Sequence, residues 1–340
     1  MDAGSVTFLL VFLIGIAFLF DLLNGMHDAA NSIATIVSTR VLSPFLAVLW
    51  AAFFNFAAYF IGHHFGFEAK VASTIGKGLI DPDMVTNAVI FGALMGAIAW
   101  NVITWRLGIP SSSSHALVGG IVGAGVAKAG FPAIQWAGLS KTLVAIVLSP
   151  VTGFILGILL VVLISWLFLR ANPARTDGIF RKLQLLTSAL YSIGHGSNDA
   201  QKTAGIIAVL LYANGYYEEF TVPAWVVLSC FTVMGIGTML GGWRIVHTMG
   251  SKITRLTPMQ GACAESAGAL TLFAATYMGI PVSTTHTITS SIVGVGSARR
   301  VHAVRWGLAR RIVWAWVITI PAAAIMGAVF YGIGELFIGV

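Results

Sequence analysis

Long apolar runs, separated by short polar breaks, make up most of the chain. Runs near 4–22, 42–63, 84–106, 142–169, 222–242, 260–279 and 311–336 have the length of about 20 residues that a helix needs to cross a bilayer. Those near 114–128, 185–212 and 284–298 are shorter or interrupted by polar residues. Together they predict an all-α polytopic membrane protein with about ten crossings, some of them broken or re-entrant half-helices. The informative positions are the polar ones inside this pattern, above all "PSSSSHALVGGIVGAG" at 110–125 and "NGMHDAANS" at 24–32.

Composition agrees with that reading. Hydrophobic residues make up 57% of the 340 and charged residues only 9%, with a mean hydropathy of +0.90. Soluble domains carry roughly 25% charged residues, so a soluble enzyme is excluded. The first apolar run follows Met1-Asp2-Ala3-Gly4 and lacks a basic lead, which predicts a retained span and not a cleaved signal. Cys230 and Cys263 fall in apolar runs and read as packing residues, not a disulfide framework.

Charge then gives orientation. The net charge is +7, from 19 basic and 12 acidic residues. Numbering the loops between the ten spans, odd loops hold 14 of the cations, Arg40 to Arg311, while even loops hold only Lys70, Lys77, Lys128 and Lys141. Lys202 falls inside a span. Basic residues mark the cytoplasmic side, so odd loops are predicted to be cytoplasmic and both chain ends extracytoplasmic, in the inner (plasma) membrane. Basic clusters at membrane edges are topology signals, and no nucleic-acid partner is expected.

The serine stretch recurs. "PVSTTHTITSSIVGVG" at 281–296 lies 171 residues downstream, and nine of 18 positions match between 108–125 and 279–296. The same offset carries Gly25 onto Gly196, Asp28 onto Asp199 and Pro150 onto Pro321. The chain is therefore read as a duplication: a first transmembrane repeat over 1–170, a short cytoplasmic linker over 171–182, and a second repeat over 183–340. Five crossings per half force the halves into opposite orientations, the inverted repeat common among secondary transporters.

Charges inside a bilayer are expensive and by default functional. Asp21, Asp28, Asp199, Lys202 and Glu265 lie in or near apolar runs, with Asn24, His27, Asn31, Asn198 and Gln201 around the two repeated aspartates. Gly25, Gly194 and Gly196 beside them predict that the helix is broken there, freeing carbonyls for a cation. Pro110 and Pro281 end the preceding helices, and the Ser/Thr runs cap new half-helices. Such helix starts favour an anion. Ser112, Ser113, Ser114, Ser283, Thr284 and Thr285, with Asn31, Gln201 and Lys202, are the expected oxyanion ligands. Asp28, Asp199, Asn24, His27, Asn198 and Glu265 are expected to bear the coupling cation or proton. His115 and His286 are expected to bond carbonyls just behind the hydroxyls. Anion and carboxylates repel unless a cation neutralises them, so symport follows from reciprocal linkage.

The combination of "NGMHDAANSIATIVSTRVLSP" (24–44), "GSNDAQK" (196–202), "GIPSSSSH" (108–115) and "GIPVSTTH" (279–286) resembles the inorganic phosphate transporter (PiT) family, along nearly the whole chain and in the right order. The resemblance implies phosphate import by symport with protons or sodium, by alternating access, in some members as a neutral metal–phosphate complex with magnesium or another divalent ion. It implies no covalent cofactor. Sodium-coupled members show Gly-Ala-Asn-Asp in both repeats, whereas the first repeat here reads Gly25-Met26-His27-Asp28. Imidazole replaces a hard oxygen ligand by a group that titrates near neutrality, so the chain resembles the bacterial, low-affinity, proton-coupled branch. If sodium is carried instead, Asp28, Asp199 and Asn198 are its expected ligands. The expected partners are inorganic phosphate and the lipid bilayer, with a homodimer left open. Alternatives are a sulfate permease of the same build, a channel, and an intramembrane Ser/His/Asp hydrolase. The hydrolase lacks a Gly-x-Ser-x-Gly elbow and does not explain matched hydroxyl runs in both halves.

Overall fold

The computed structural model describes residues 3–338; the outermost residues at both chain ends, on which the orientation of the termini bears, lie outside them. Twelve helices follow in order among the described residues: α1 (Ala3–Ser38), α2 (Pro44–Phe65), α3 (Lys70–Gly78), α4 (Asn87–Leu107), α5 (Ser113–Ala129), α6 (Trp136–Leu167), α7 (Pro173–Ala213), α8 (Ala224–Leu240), α9 (Trp243–His247), α10 (Pro258–Tyr277), α11 (Thr284–Arg299) and α12 (Trp306–Ile338). The only pairing of extended backbone among them is an isolated bridge between Ile80 and Ile134. This is an all-α membrane protein.

Five helices, α1 from Thr7 onward, α2, α4, α6 and α12, are long and apolar enough to cross a bilayer, and α8 with α9 adds a sixth bent by 65°. The expected count of about ten exceeds this because α5, α7, α10 and α11 are short or polar. These four helices are buried along most of their length: all of 113–121, 191–211 and 260–265 is buried. Those stretches face other helices and not lipid, so hydropathy alone does not reveal them. The converse holds for α6 and α12, which line the outside with residues such as Val147, Leu159, Val317 and Ile325.

The duplication is visible in the elements. Helices α4, α5 and α6 start at 87, 113 and 136; α10, α11 and α12 start at 258, 284 and 306. Pro150 and Pro321 sit inside α6 and α12. The repeats also exchange partners. Helix α12 packs on α4 and α5, while α6 packs on α10 and α11, so each half's last helix clasps the other half's short helix. Close approach there requires glycine: a Cβ on Gly96 would stand 2.7 Å from Gly327 Cα, and one on Gly153 would stand 2.8 Å from Thr287 O.

Helices α1 and α7, which are equivalent by the 171-residue offset, cross head to tail. Thr203 meets Asp21 and Gln184 meets Thr39; advancing along α1 means retreating along α7. Equivalent helices running in opposite directions are what an inverted repeat requires.

One expectation fails here. Helices α1 and α7 run unbroken through Gly25, Gly194 and Gly196. Those glycines serve packing instead: a Cβ on Gly25 would stand 3.2 Å from Gly237 Cα of α8, and one on Gly196 would stand 2.9 Å from Asn55 Cα of α2. The polar segment 171–182 is also largely helical, because Asn172 caps α7 and Pro173 starts it. Pro at the first helical position is pre-organised for such a start.

Candidate functional site

The two short helices begin as the sequence predicts. Ser112 Oγ accepts the amide of His115, and Ser283 Oγ accepts the amide of His286, at 3.2 and 3.1 Å. Both serines are therefore N-caps, each worth on the order of 1 kcal/mol to its helix. Behind them, Gly108 and Gly279 adopt φ of 66° and 67°, the left-handed turn that ends α4 and α10 at matching places.

The next two hydroxyls of each helix build the centre. Ser113 Oγ lies 2.5 Å from Asn24 Oδ1 and 2.7 Å from Asp28 Oδ2, so its one proton is shared between them. Its counterpart Thr284 donates to Asp199 Oδ2 at 3.1 Å. Each repeat thus places this hydroxyl on its own aspartate. The following pair reaches across. Ser114 accepts from Lys202 Nζ at 2.5 Å, and Thr285 accepts from Asn31 Nδ2 at 2.9 Å and lies 3.4 Å from Asp28 Oδ1. Lys202 and Asn31 are themselves equivalent, so the arrangement is two-fold although the residues differ.

Charge is concentrated at this centre. Lys202 Nζ donates to Asp199 Oδ1, to Ser114 and to Val282 O at 2.8 Å, using all three of its protons. His27 Nδ1 lies 2.9 Å from Asp28 Oδ1, while its Nε2 lies 3.2 Å from Thr104 Oγ1. His195 Nε2 lies 3.4 Å from Asp199 Oδ2. Ligand atoms of Asp28, His195 and Asp199 all fall within 4.8 Å of one another. None of these residues is more than 6% exposed. Two aspartates, one lysine and two imidazoles therefore share a dry space, where each charge needs a partner.

Several expected site residues do other things. Gln201, expected on the oxyanion, is occupied by α3: its Oε1 accepts the amide of Val71 at 2.9 Å, and its Nε2 donates to Phe67 O and Ser197 O. Asn198, expected on the cation, ties down the strap before α11, donating to Thr276 Oγ1 and Ile280 O and accepting from Val282 N. Glu265 lies in a separate cluster, accepting from Thr35 at 2.6 Å, Thr187 at 2.5 Å and Gln184 at 3.0 Å. His115 and His286 bond no carbonyl with Nδ1 or Nε2 of His115 or Nε2 of His286. They meet each other instead, edge to face at 4.3 Å, and His286 stacks on Trp316. Both sit on the third position of a helix whose cap already takes their amide, which turns the rings toward the other repeat.

His195 was missed. It lies four residues before Asp199, one helical turn away, and matches Asn24 before Asp28 by the 171-residue offset. That spacing was the available signal. Asn55, which joins His195 Nδ1 at 3.1 Å to Thr238 Oγ1 at 2.9 Å, carries no such signal.

Matched half-helix starts and buried ionisable groups that meet inside an apolar helical bundle are the build of a membrane transport protein. The profile of the Phosphate transporter family matches residues 24–177 and, again, 170–327. The chain belongs to this family. It is 64% identical, over 99% of both chains, to a "Probable low-affinity inorganic phosphate transporter" of Rhizobium meliloti (strain 1021). It is 46% identical, over 97% of this chain and 98% of the other, to a protein of Bacillus subtilis (strain 168) with the same description. A solved structure described as "The sodium-dependent phosphate transporter" is similar with a TM-score of 0.88 at 25% identity, covering 97% of this chain and all of the other.

Proposed function

We propose that this protein imports inorganic phosphate across the inner (plasma) membrane by cation symport, with protons as the preferred cation, through alternating access of one central site between the two repeats. The observation that carries the reading is that the donors suited to a phosphate are already bonded to the aspartates. Ser113, Thr284 and Thr285 lie on Asp28 and Asp199, and Lys202 bridges Asp199 and Ser114. An ionised aspartate and a phosphate are rival acceptors for the same protons. A cation on the carboxylates releases the hydroxyls and the lysine to the anion, and the anion's charge in turn holds the cation. Lysine and helix-start amides supply the positive field.

In this reading, Asn31 and Ser114 line the phosphate from opposite repeats. His27 is the group that favours the proton as the coupling ion, since it contacts Asp28 directly and an imidazole can carry a proton where an amide cannot. Phosphate enters alone or as a neutral complex with a divalent cation. Orientation follows the basic loops, which puts both chain ends outside and the 1–170 and 183–340 repeats in opposite senses.

Sodium is the second reading. Two features favour it: the sodium dependence of the transporter whose solved structure is similar, and the close approach of Asp28 and Asp199, whose oxygens are hard ligands. Uptake of labelled phosphate into proteoliposomes, under separately imposed proton and sodium gradients, distinguishes the two. Sulfate as competitor and varied magnesium test the anion and its form. Accumulation that follows the proton gradient and resists sulfate is expected. Accumulation that follows sodium and ignores pH overturns the choice of cation, and sulfate uptake without phosphate uptake overturns the substrate.

A further inference from the structure

Asp21 has no part in the site described above. It lies on α1 on the same face as Asn24 and Asp28, since spacings of three and four residues stack side chains on a helix. Two helical turns, about 10 Å, separate it from Asp28. Its side chain is fully buried. Oδ1 accepts from Thr203 Oγ1 at 3.0 Å, and Oδ2 has no partner among the described residues. Thr203 stands one turn beyond Asp199 on α7. The polar stripe Asp21–Asn24–Asp28 on α1 therefore runs against the stripe Thr203–Asp199–His195 on α7, away from the central site.

Asp21 differs in kind from the other buried acid outside the centre. Both oxygens of Glu265 are bonded, by three donors. That is how a structural carboxylate is held in apolar surroundings. Asp21 has one hydroxyl donor and a bare second oxygen; Ala17 and Phe20 near it in α1, and Ala204 and Ile206 next to Thr203 in α7, are buried apolar residues. A bare carboxylate oxygen there is expensive; an O–H at the same place is neutral. The titratable groups that interact with it are Asp199 on α7 and, on α8, the thiol of Cys230. Other titratable groups on elements packed against α1 include Tyr59, His63 and His64 on α2, Arg106 on α4, His195 and Lys202 on α7, and Arg244 and His247 on α9. No ion pair joins Asp21 to a cation among the described residues, and one of the titratable groups that interact with it is the coupling carboxylate Asp199.

We propose that Asp21 is a proton-binding site in series with the central aspartates, lying outside the phosphate pocket toward the extracytoplasmic side. A proton from that side forms an O–H bond at Oδ2, and the bond breaks when the proton moves on toward the centre. While Asp21 holds the proton, it adds no negative charge to those of Asp28 and Asp199 along this stripe. The inference rests on the proton-symport reading and names a station on its path.

The test uses the full chain in proteoliposomes, as wild type, Asp21→Asn, Asp21→Glu and Thr203→Val. Two quantities are read: phosphate–phosphate exchange at equal pH, and accumulation driven by a pH gradient. Asparagine keeps the shape and neutrality of the protonated acid but carries no transferable proton. Asp21→Asn is expected to keep exchange within about twofold and to lose driven accumulation by about tenfold or more, the size of an ordinary coupling. Asp21→Glu retains proton-driven accumulation. Thr203→Val removes the donor that favours the ionised form, so the pH profile of accumulation moves to higher pH. Wild-type proton dependence in Asp21→Asn overturns the proposal, as does equal failure of Asp21→Asn and Asp21→Glu. If Asp21→Asn does not insert, an unmoved pH profile in Thr203→Val overturns it. A wild type driven by sodium alone removes the proton-symport reading and this station together; a proton-driven wild type with a proton-driven Asp21→Asn removes only the station.

Discussion

The two half-sites share a backbone and differ in charge. In the first, Asp28 is flanked by His27 and receives Ser113, while the position one turn on is the neutral Asn31. In the second, Asp199 receives Thr284, but the matching position is Lys202, bonded to the carboxylate itself. The repeat supplies geometry twice: one cap, one hydroxyl on its own aspartate, one hydroxyl reaching across. The substitutions at 27/198 and 31/202 then give one side an imidazole and the other an ammonium. Symmetry suits the alternating access proposed for the site, and asymmetry gives it a sign.

The variants that break this comparison have ordered effects. Asp28→Asn and Asp199→Asn each remove a carboxylate proposed to bear the cation, while leaving a neutral partner for Ser113 or Thr284. Gradient-driven phosphate accumulation is expected to fall by about 100-fold in each, near the upper end of measured couplings. Near-normal accumulation in both, with insertion intact, would remove the aspartates from the mechanism. Lys202→Asn makes the second half resemble the first. A charge-assisted bond contributes about 1.5–3 kcal/mol, so phosphate affinity by equilibrium binding is expected to drop by about tenfold or more. Unchanged affinity would mean that Lys202 only balances Asp199.

Smaller changes sharpen the picture. His27→Asn restores in the first repeat the amide that Asn198 provides in the second. It is expected to raise sodium-driven uptake relative to proton-driven uptake, read as the ratio of initial rates under the two gradients. Thr285→Val removes the hydroxyl that spans Asn31 and Asp28 at little change of volume. About a threefold loss in affinity is expected, the worth of a single neutral hydrogen bond, with a smaller loss for the more peripheral cap Ser112→Ala.

Features carried by repetition and by strong local chemistry were legible in the sequence. The 171-residue offset, Pro110 and Pro281 with their serine caps, and the placement of Asp28 and Asp199 all reappear in the structure. Features that depend on which of two physical needs a residue meets were not. Glycine beside an aspartate suits either a broken helix or a close helix contact, and at Gly25 and Gly196 the contact with α8 and α2 prevails. An amide such as Gln201 suits a ligand or a helix end equally well, and only the position of α3 decides it. His115 and His286 face each other because two distant segments meet, and no local spacing announces that. His195 was within reach through its offset from Asn24, but the two residue types differ, which hides the match.

The central claim is that phosphate and the aspartates compete for one set of donors, so anion binding depends on neutralising the carboxylates. Equilibrium titration of phosphate onto the purified protein, across a range of proton and sodium concentrations, tests it most directly. Wild type and the Asp28→Asn/Asp199→Asn double variant are compared at each condition, so that the titration of phosphate itself cancels. Wild-type affinity is predicted to rise as protons or sodium are added, while the double variant binds phosphate with little dependence on either. Equal cation dependence in the two proteins, or none in the wild type, contradicts the claim.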